Sequence, residues 1–158
     1  MVLIPPLQPD DLLGRLSEGG IPDVRVLVAR DQPVMAMLRI PTRRSGGKAN
    51  LHQGALGLGV DLATGRTVGA ILGTTSIDVH PDSRLPLAGI QVPHWERILE
   101  LSRLSSSAVE LDYVGVDVIV DRERGPLVIE LNARPGLNIQ LANGVGLRAV
   151  LPRAGAAR

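Results

Sequence analysis

Cysteine and phenylalanine are missing from this chain, and tryptophan, tyrosine and lysine each occur once. Without cysteine there is no disulfide, no thiolate metal site and no cysteine nucleophile. Trp95 and Tyr113 are the only aromatic residues, which removes the stacking platforms on which single-stranded nucleic acids are held. A net charge of +1 supplies no field for a phosphate backbone, so nucleic acid is not an expected partner. No apolar run approaches the length of a membrane span, and no basic-then-apolar leader follows Met1. A soluble, cytoplasmic protein with no membrane partner is the expectation. Lys48 stands alone among the 17 basic residues, the rest being arginine. A codon bias towards arginine accounts for the imbalance; its consequence is that any step needing an ammonium group has one candidate.

What is present suffices for a core: 158 residues, 44% of them hydrophobic, enough for one domain. Residues 1–9 carry three prolines and read as the tail of a strand entering a loop. Asp10 caps a short helix to Glu18, stopped by Gly19-Gly20. Asp23 to Arg30 alternates, with Val24, Val26 and Val28 on one face and Asp23, Arg25 and Leu27 on the other. Val34 to Ile40 returns, and Ala55–Leu62 with Thr67–Leu72 makes a further hairpin. Residues 77–92 read as a loop. Trp95, Ile98, Leu99, Leu101 and Leu104 mark a helix behind Pro93. Asn138 to Leu151 reads as one closing helix and 152–158 as a frayed tail. The expected fold is α+β, an antiparallel β-sheet with a few packed helices, in one domain over 1–151.

The most informative stretch is VGVDVIVDRERGPLVIELNARPGL, from Val114 to Leu137. Alternation of period two on both sides of Arg122-Glu123-Arg124-Gly125 predicts a β-hairpin. A turn centred between Glu123 and Arg124 sets Asp117 directly opposite Glu130, with Asn132 two residues along on the same face. Two carboxylates facing each other are destabilising on their own. Two partners answer them. A divalent cation such as magnesium takes two carboxylates and an amide oxygen; alternatively, an arginine of this Arg-rich chain pairs with the acids.

Other motifs fail. Gly46-Gly47-Lys48 lacks the glycine and the hydroxyl residue of a phosphate-binding P-loop, having Thr42 and Ala49 there. Gly57-Leu58-Gly59 lacks the third glycine of a dinucleotide fingerprint. His52, His80 and His94 have no zinc-like spacing and read as loop or cap residues, and Ser105-Ser106-Ser107 reads as a helix end. A basic glycine loop (Arg43, Arg44, Lys48, Asn50) and an acidic hairpin face remain. Cations for phosphate and acids for magnesium are the two halves of a nucleotide-triphosphate site; a solvated basic loop and acids paired elsewhere are the plainer reading.

The residues also resemble a family. Val116-Asp117, followed by Leu127-Val128-Ile129-Glu130-Leu131-Asn132-Ala133-Arg134-Pro135-Gly136-Leu137, resembles the C-terminal metal motif of the ATP-grasp superfamily. The similarity is greatest to its alpha-L-glutamate ligase-like branch, including domains associated with sugar transfer. Asp23-Val24-Arg25-Val26-Leu27-Val28 resembles that branch's Asp-x-Arg strand, and Gly47-Lys48-Ala49-Asn50-Leu51-His52 its basic-x-Asn-Leu-His loop. The resemblance implies Asp117, Glu130 and Asn132 as magnesium ligands, Asp23 near the ribose of ATP, and Lys48 and Asn50 on its phosphates. It also implies Arg39 facing the acyl-phosphate and acceptor region. Arg134 is added here as a bidentate partner for a substrate carboxylate.

The activity implied is an ATP- and magnesium-dependent carboxylate–amine ligase, with nucleotide and small-molecule or peptide carboxylates and amines as partners. The family clamps its nucleotide between two subdomains, the first carrying phosphate-binding lysines. Here Leu3-Ile4-Pro5-Pro6-Leu7 stands where a hinge glutamate belongs. The expectation is a C-terminal ATP-grasp subdomain without its N-terminal half, completed by such a half or by a homo-oligomer. The alternative is a non-catalytic half-domain keeping only the fold or weak metal and nucleotide binding.

Overall fold

In the computed structural model, which describes residues 6–152, the alternating stretches become seven antiparallel strands in one sheet. The strands are β1 Asp23–Ala29, β2 Gln32–Ile40, β3 Leu56–Val60, β4 Thr67–Leu72, β5 Thr75–Ile77, β6 Tyr113–Asp121 and β7 Gly125–Asn132. Their spatial order is β5-β4-β3-β2-β1-β6-β7. The helices are α1 Asp11–Arg15, α2 Trp95–Ser107, α3 Asn138–Asn143 and α4 Leu147–Val150. The α+β fold is therefore as the sequence predicts. Residues 1–5 and 153–158, which carry part of the expected entry segment and most of the expected tail, lie outside the described residues. No helix among the described residues is long and apolar enough to cross a membrane.

Both faces of the sheet carry helices. Val24, Val26 and Val28 join Val114, Val116, Val118, Leu38 and Leu58 in a core with Leu13 of α1 and Trp95 and Ile98 of α2. The opposite face carries Leu27, Met35, Met37 and Ile71 under Ile139 and Ala142 of α3. Asp10 caps α1 as expected, accepting from the Leu12 and Leu13 amides. The two glycines of the failed dinucleotide motif serve packing. A Cβ at Gly59 would lie 2.4 Å from the Ala142 carbonyl oxygen, so glycine is what lets α3 approach β3.

Four local expectations need correction. The closing helix is two short ones, α3 and α4, because Gly144 takes φ +63° at the end of α3. A short β5 follows β4 and takes Ile77, the first residue of the expected 77–92 loop. The buried face of α2 is Trp95, Ile98, Ser102 and Ser106, while Leu104 is 53% exposed. Ser102 can be buried because its hydroxyl donates to the Ile98 carbonyl at 2.7 Å. The hairpin turn, finally, is centred one half-residue earlier than expected. Asp121 pairs with Gly125 around Arg122-Glu123-Arg124, with Gly125 at φ +71°. A bulge between Asp117 and Val118 then restores the expected register further down.

Candidate functional site

The bulge is what sets Asp117 opposite Glu130. Above it, Val118 pairs with Val128; below it, Asp117 pairs with Glu130 and Gly115 with Asn132. Strand β1 lies on the other side of β6 and aligns Arg25 with Asp117. Strand β2 aligns Arg39 with Asp23. One cross-strand row therefore reads Met37, Arg25, Asp117, Glu130, and the next begins Arg39, Asp23. Opposite charges face one another at Arg25–Asp117 and at Arg39–Asp23, and like charges at Asp117–Glu130.

The side chains close this pattern into a buried network. Arg25 forks onto Asp117, its Nε 2.7 Å from Oδ1 and its Nη2 2.6 Å from Oδ2. Arg39 forks onto Asp23 at 2.5 and 2.7 Å and shares its Nη2 with Asp117 at 2.8 Å. Asn132 donates its Nδ2 to the same Asp117 oxygen at 3.2 Å. Asp117 is 1% exposed and Asp23 7%. Burial pushes Asp23 up to about 6 against the opposing pull of Arg39. Burial also raises Asp117, but Arg25 and Arg39 outweigh it and hold that carboxyl below the usual range. Of the two partners open for Asp117 in the sequence, the ion pair with arginine is the one present here. Glu130 is exposed and has no ion pair among the described residues.

Over this network lies an open cleft of ≈ 920 Å³. Its far wall comes from the glycine loop. Thr42 and Ser45 exchange amide-to-hydroxyl bonds at 3.0 and 3.1 Å, and the Thr42 hydroxyl donates to the Gly54 carbonyl at 2.8 Å. Gly47 presses on Gly19 so closely that a Cβ there would sit 2.6 Å from the Gly19 carbonyl oxygen. Lys48 is exposed and lines the cleft. Asn50 also lines it, while its side-chain oxygen caps a 3₁₀ turn at Leu51–Gln53 by accepting from the His52 amide at 3.0 Å. The Pro135-Gly136 turn closes the near end. Gly115 makes room for it, since a Cβ there would lie 2.8 Å from the Pro135 ring. Arg134 is exposed on the cleft wall.

The structure thus brings Asp23, Arg39, Lys48, Asn50, Asp117, Glu130 and Arg134 around one cleft, with Asn132 bonded to Asp117. With Arg25, four cations and three carboxylates line the cleft. Arg25 is the residue that sequence reasoning quoted in a motif but gave no role; its place beside Asp23 on the polar face of β1 was the available signal. The donor chemistry of Asp117, Glu130 and Asn132 fits magnesium, being two carboxylates and an amide on one face. Among the described residues, no group of three or more histidine, cysteine or carboxylate side chains stands ready for a metal.

A family model described as sugar-transfer associated ATP-grasp matches residues 5–156. Among solved structures, the chain is similar to the ATP-grasp ligase PsnB complexed with minimal precursor, with 17% identity and a TM-score of 0.41. That similarity covers 82% of this chain and 31% of the other, so the chain spans about a third of that enzyme's length. No curated protein matches the chain significantly.

Proposed function

The chain belongs to the sugar-transfer associated ATP-grasp family, and from that premise we propose that its cleft binds magnesium–ATP for carboxylate–amine ligation. The observation that carries this reading is the row Arg25, Asp117, Glu130 with Asn132 beside it, facing Lys48 across the same cleft. Asp117, Glu130 and Asn132 hold the magnesium. Lys48 and Asn50 take the phosphates, and Asp23 lies on the ribose side. Arg39 faces the acyl-phosphate, and Arg134 binds the carboxylate of the acid substrate bidentately. A carboxylate oxygen of the acid attacks the terminal phosphorus of ATP, releasing ADP; the amine then attacks the acyl carbon and phosphate leaves. The metal supplies charge neutralisation on the phosphate oxygens. The protein's own part is positioning and fixed positive charge, with no covalent work of its own.

ATP-grasp enzymes close their nucleotide between two subdomains, so the open side of this cleft is the proposed docking side for an N-terminal ATP-grasp half or a second copy. The test is calorimetric titration with ATP, with and without magnesium. Magnesium-dependent binding that Asp117→Ala and Glu130→Ala each abolish is the expected result. Absence of magnesium–nucleotide binding, with and without such a half supplied, removes the ligase reading for this polypeptide.

A second reading has its own observation. Both oxygens of Asp117 are engaged by arginines, an arrangement that also suits a non-catalytic half-domain whose polar network only holds four strands together. In that case Asp117→Ala lowers stability and changes no ligand binding.

A further inference from the structure

The carboxylate assigned to the metal is also the one that two guanidinium groups already hold. Asp117 receives four hydrogen bonds, two from Arg25, one from Arg39 and one from Asn132. A divalent cation coordinating Asp117 uses the same oxygen lone pairs, and it brings its charge against both guanidinium groups. Asp117 is 1% exposed, and solvent screens that repulsion poorly at so buried a carboxylate.

The two arginines are not equivalent. Arg39 is anchored bidentately to Asp23 and gives Asp117 only a shared Nη2. Arg25 gives both of its bonds to Asp117 and has no second carboxylate among the described residues. It also lines the cleft. Arg25 can therefore leave only if another anion takes its fork, and a polyphosphate offers the matching pair of oxygens.

We propose that Arg25, steadied by Arg39, is a gate on Asp117 that excludes a bare divalent cation and yields to a cation arriving with a polyphosphate. This rests on the magnesium–nucleotide reading above and adds an order to it: metal and nucleotide enter together. Arg25 is then a positioning residue. It occupies the metal ligand in the empty site and turns to phosphate oxygens in the filled one.

Manganese is the probe, followed by the enhancement of water-proton relaxation that the full chain adds over a protein-free blank of the same manganese and polyphosphate mixture. The parent is expected to bind manganese with tripolyphosphate or ATP and to leave it free without them. Arg25→Gln is expected to bind bare manganese about tenfold or more tighter than the parent, the direction that follows from removing a full charge in contact with the ligand. Adding Asp117→Asn to Arg25→Gln abolishes that gain, and Arg25→Lys keeps the exclusion in part because it keeps the charge. Equal manganese binding by the parent with and without tripolyphosphate overturns the gate, a result that needs no variant to fold. So does an Arg25→Gln chain that shows no gain while the parent still binds manganese–ATP; that outcome leaves the nucleotide reading standing. Loss of all metal and nucleotide binding in every form removes both.

Discussion

Asp23 and Asp117 share Arg39, yet they are pushed in opposite directions. Asp23 pairs with one arginine and is buried, and its carboxyl rises from an ordinary 3.8 to about 6. Asp117 pairs with two and falls. Between about pH 4 and pH 6 the folded molecule therefore keeps a proton on Asp23 that the unfolded chain has released. Raising the pH through that window strips the proton and lowers stability, by up to about 3 kcal/mol. Asp117 works the other way: its contribution is present above its unfolded value and lost as the pH falls through the folded one. Urea unfolding of the parent and of Asp23→Asn at both ends of the window checks this. The parent is expected to lose stability relative to the variant as the pH rises; a constant difference means that Asp23 titrates normally. The shared face of Asp23 and Arg25, and of Glu130 and Asn132, was legible from alternation alone. The bond from Arg25 to Asp117 was not, because it spans 92 residues and depends on β1 pairing with β6, which no local pattern encodes.

Among the elements, the hairpin shows what periodicity reads and what it misses. Alternation located both strands and the facing acids, but Ile129 is the extra residue of a bulge and stands 51% exposed. A bulge inserts one residue without altering composition, so the pattern on either side of it looks continuous. The closing helix divides in two for a related reason. Its apolar spacing continues past Gly144, but the left-handed backbone there ends the turn. Packing of α3 on β3 rests on a missing side chain, which gives a direct expectation. Gly59→Ala drives a Cβ into the Ala142 carbonyl and should cost about 1–3 kcal/mol of stability. Gly136→Ala, with nothing within 4 Å, should stay within about 0.5 kcal/mol. Comparable urea midpoints for the two variants would show that α3 has room to move on the sheet.

For the molecule as a whole, the sheet divides two tasks between its faces. One face buries valines and leucines beneath α1 and α2. The other is apolar under α3 and α4, and beyond Met37 and Leu27 it turns into the charged network and the cleft. Burying two aspartates is costly unless each is paired, and the cross-strand register supplies those partners in the half-buried Arg25 and Arg39. The claim that this charged end is a metal–nucleotide site is tested most directly by nuclear magnetic resonance of the full chain with trace manganese and excess ATP. Line broadening is expected at Gly115 to Asp117, Glu130 to Asn132 and Lys48 to Asn50, while α2 on the far face stays sharp. Broadening centred on α2 or spread evenly over the surface, or none at all, would contradict it.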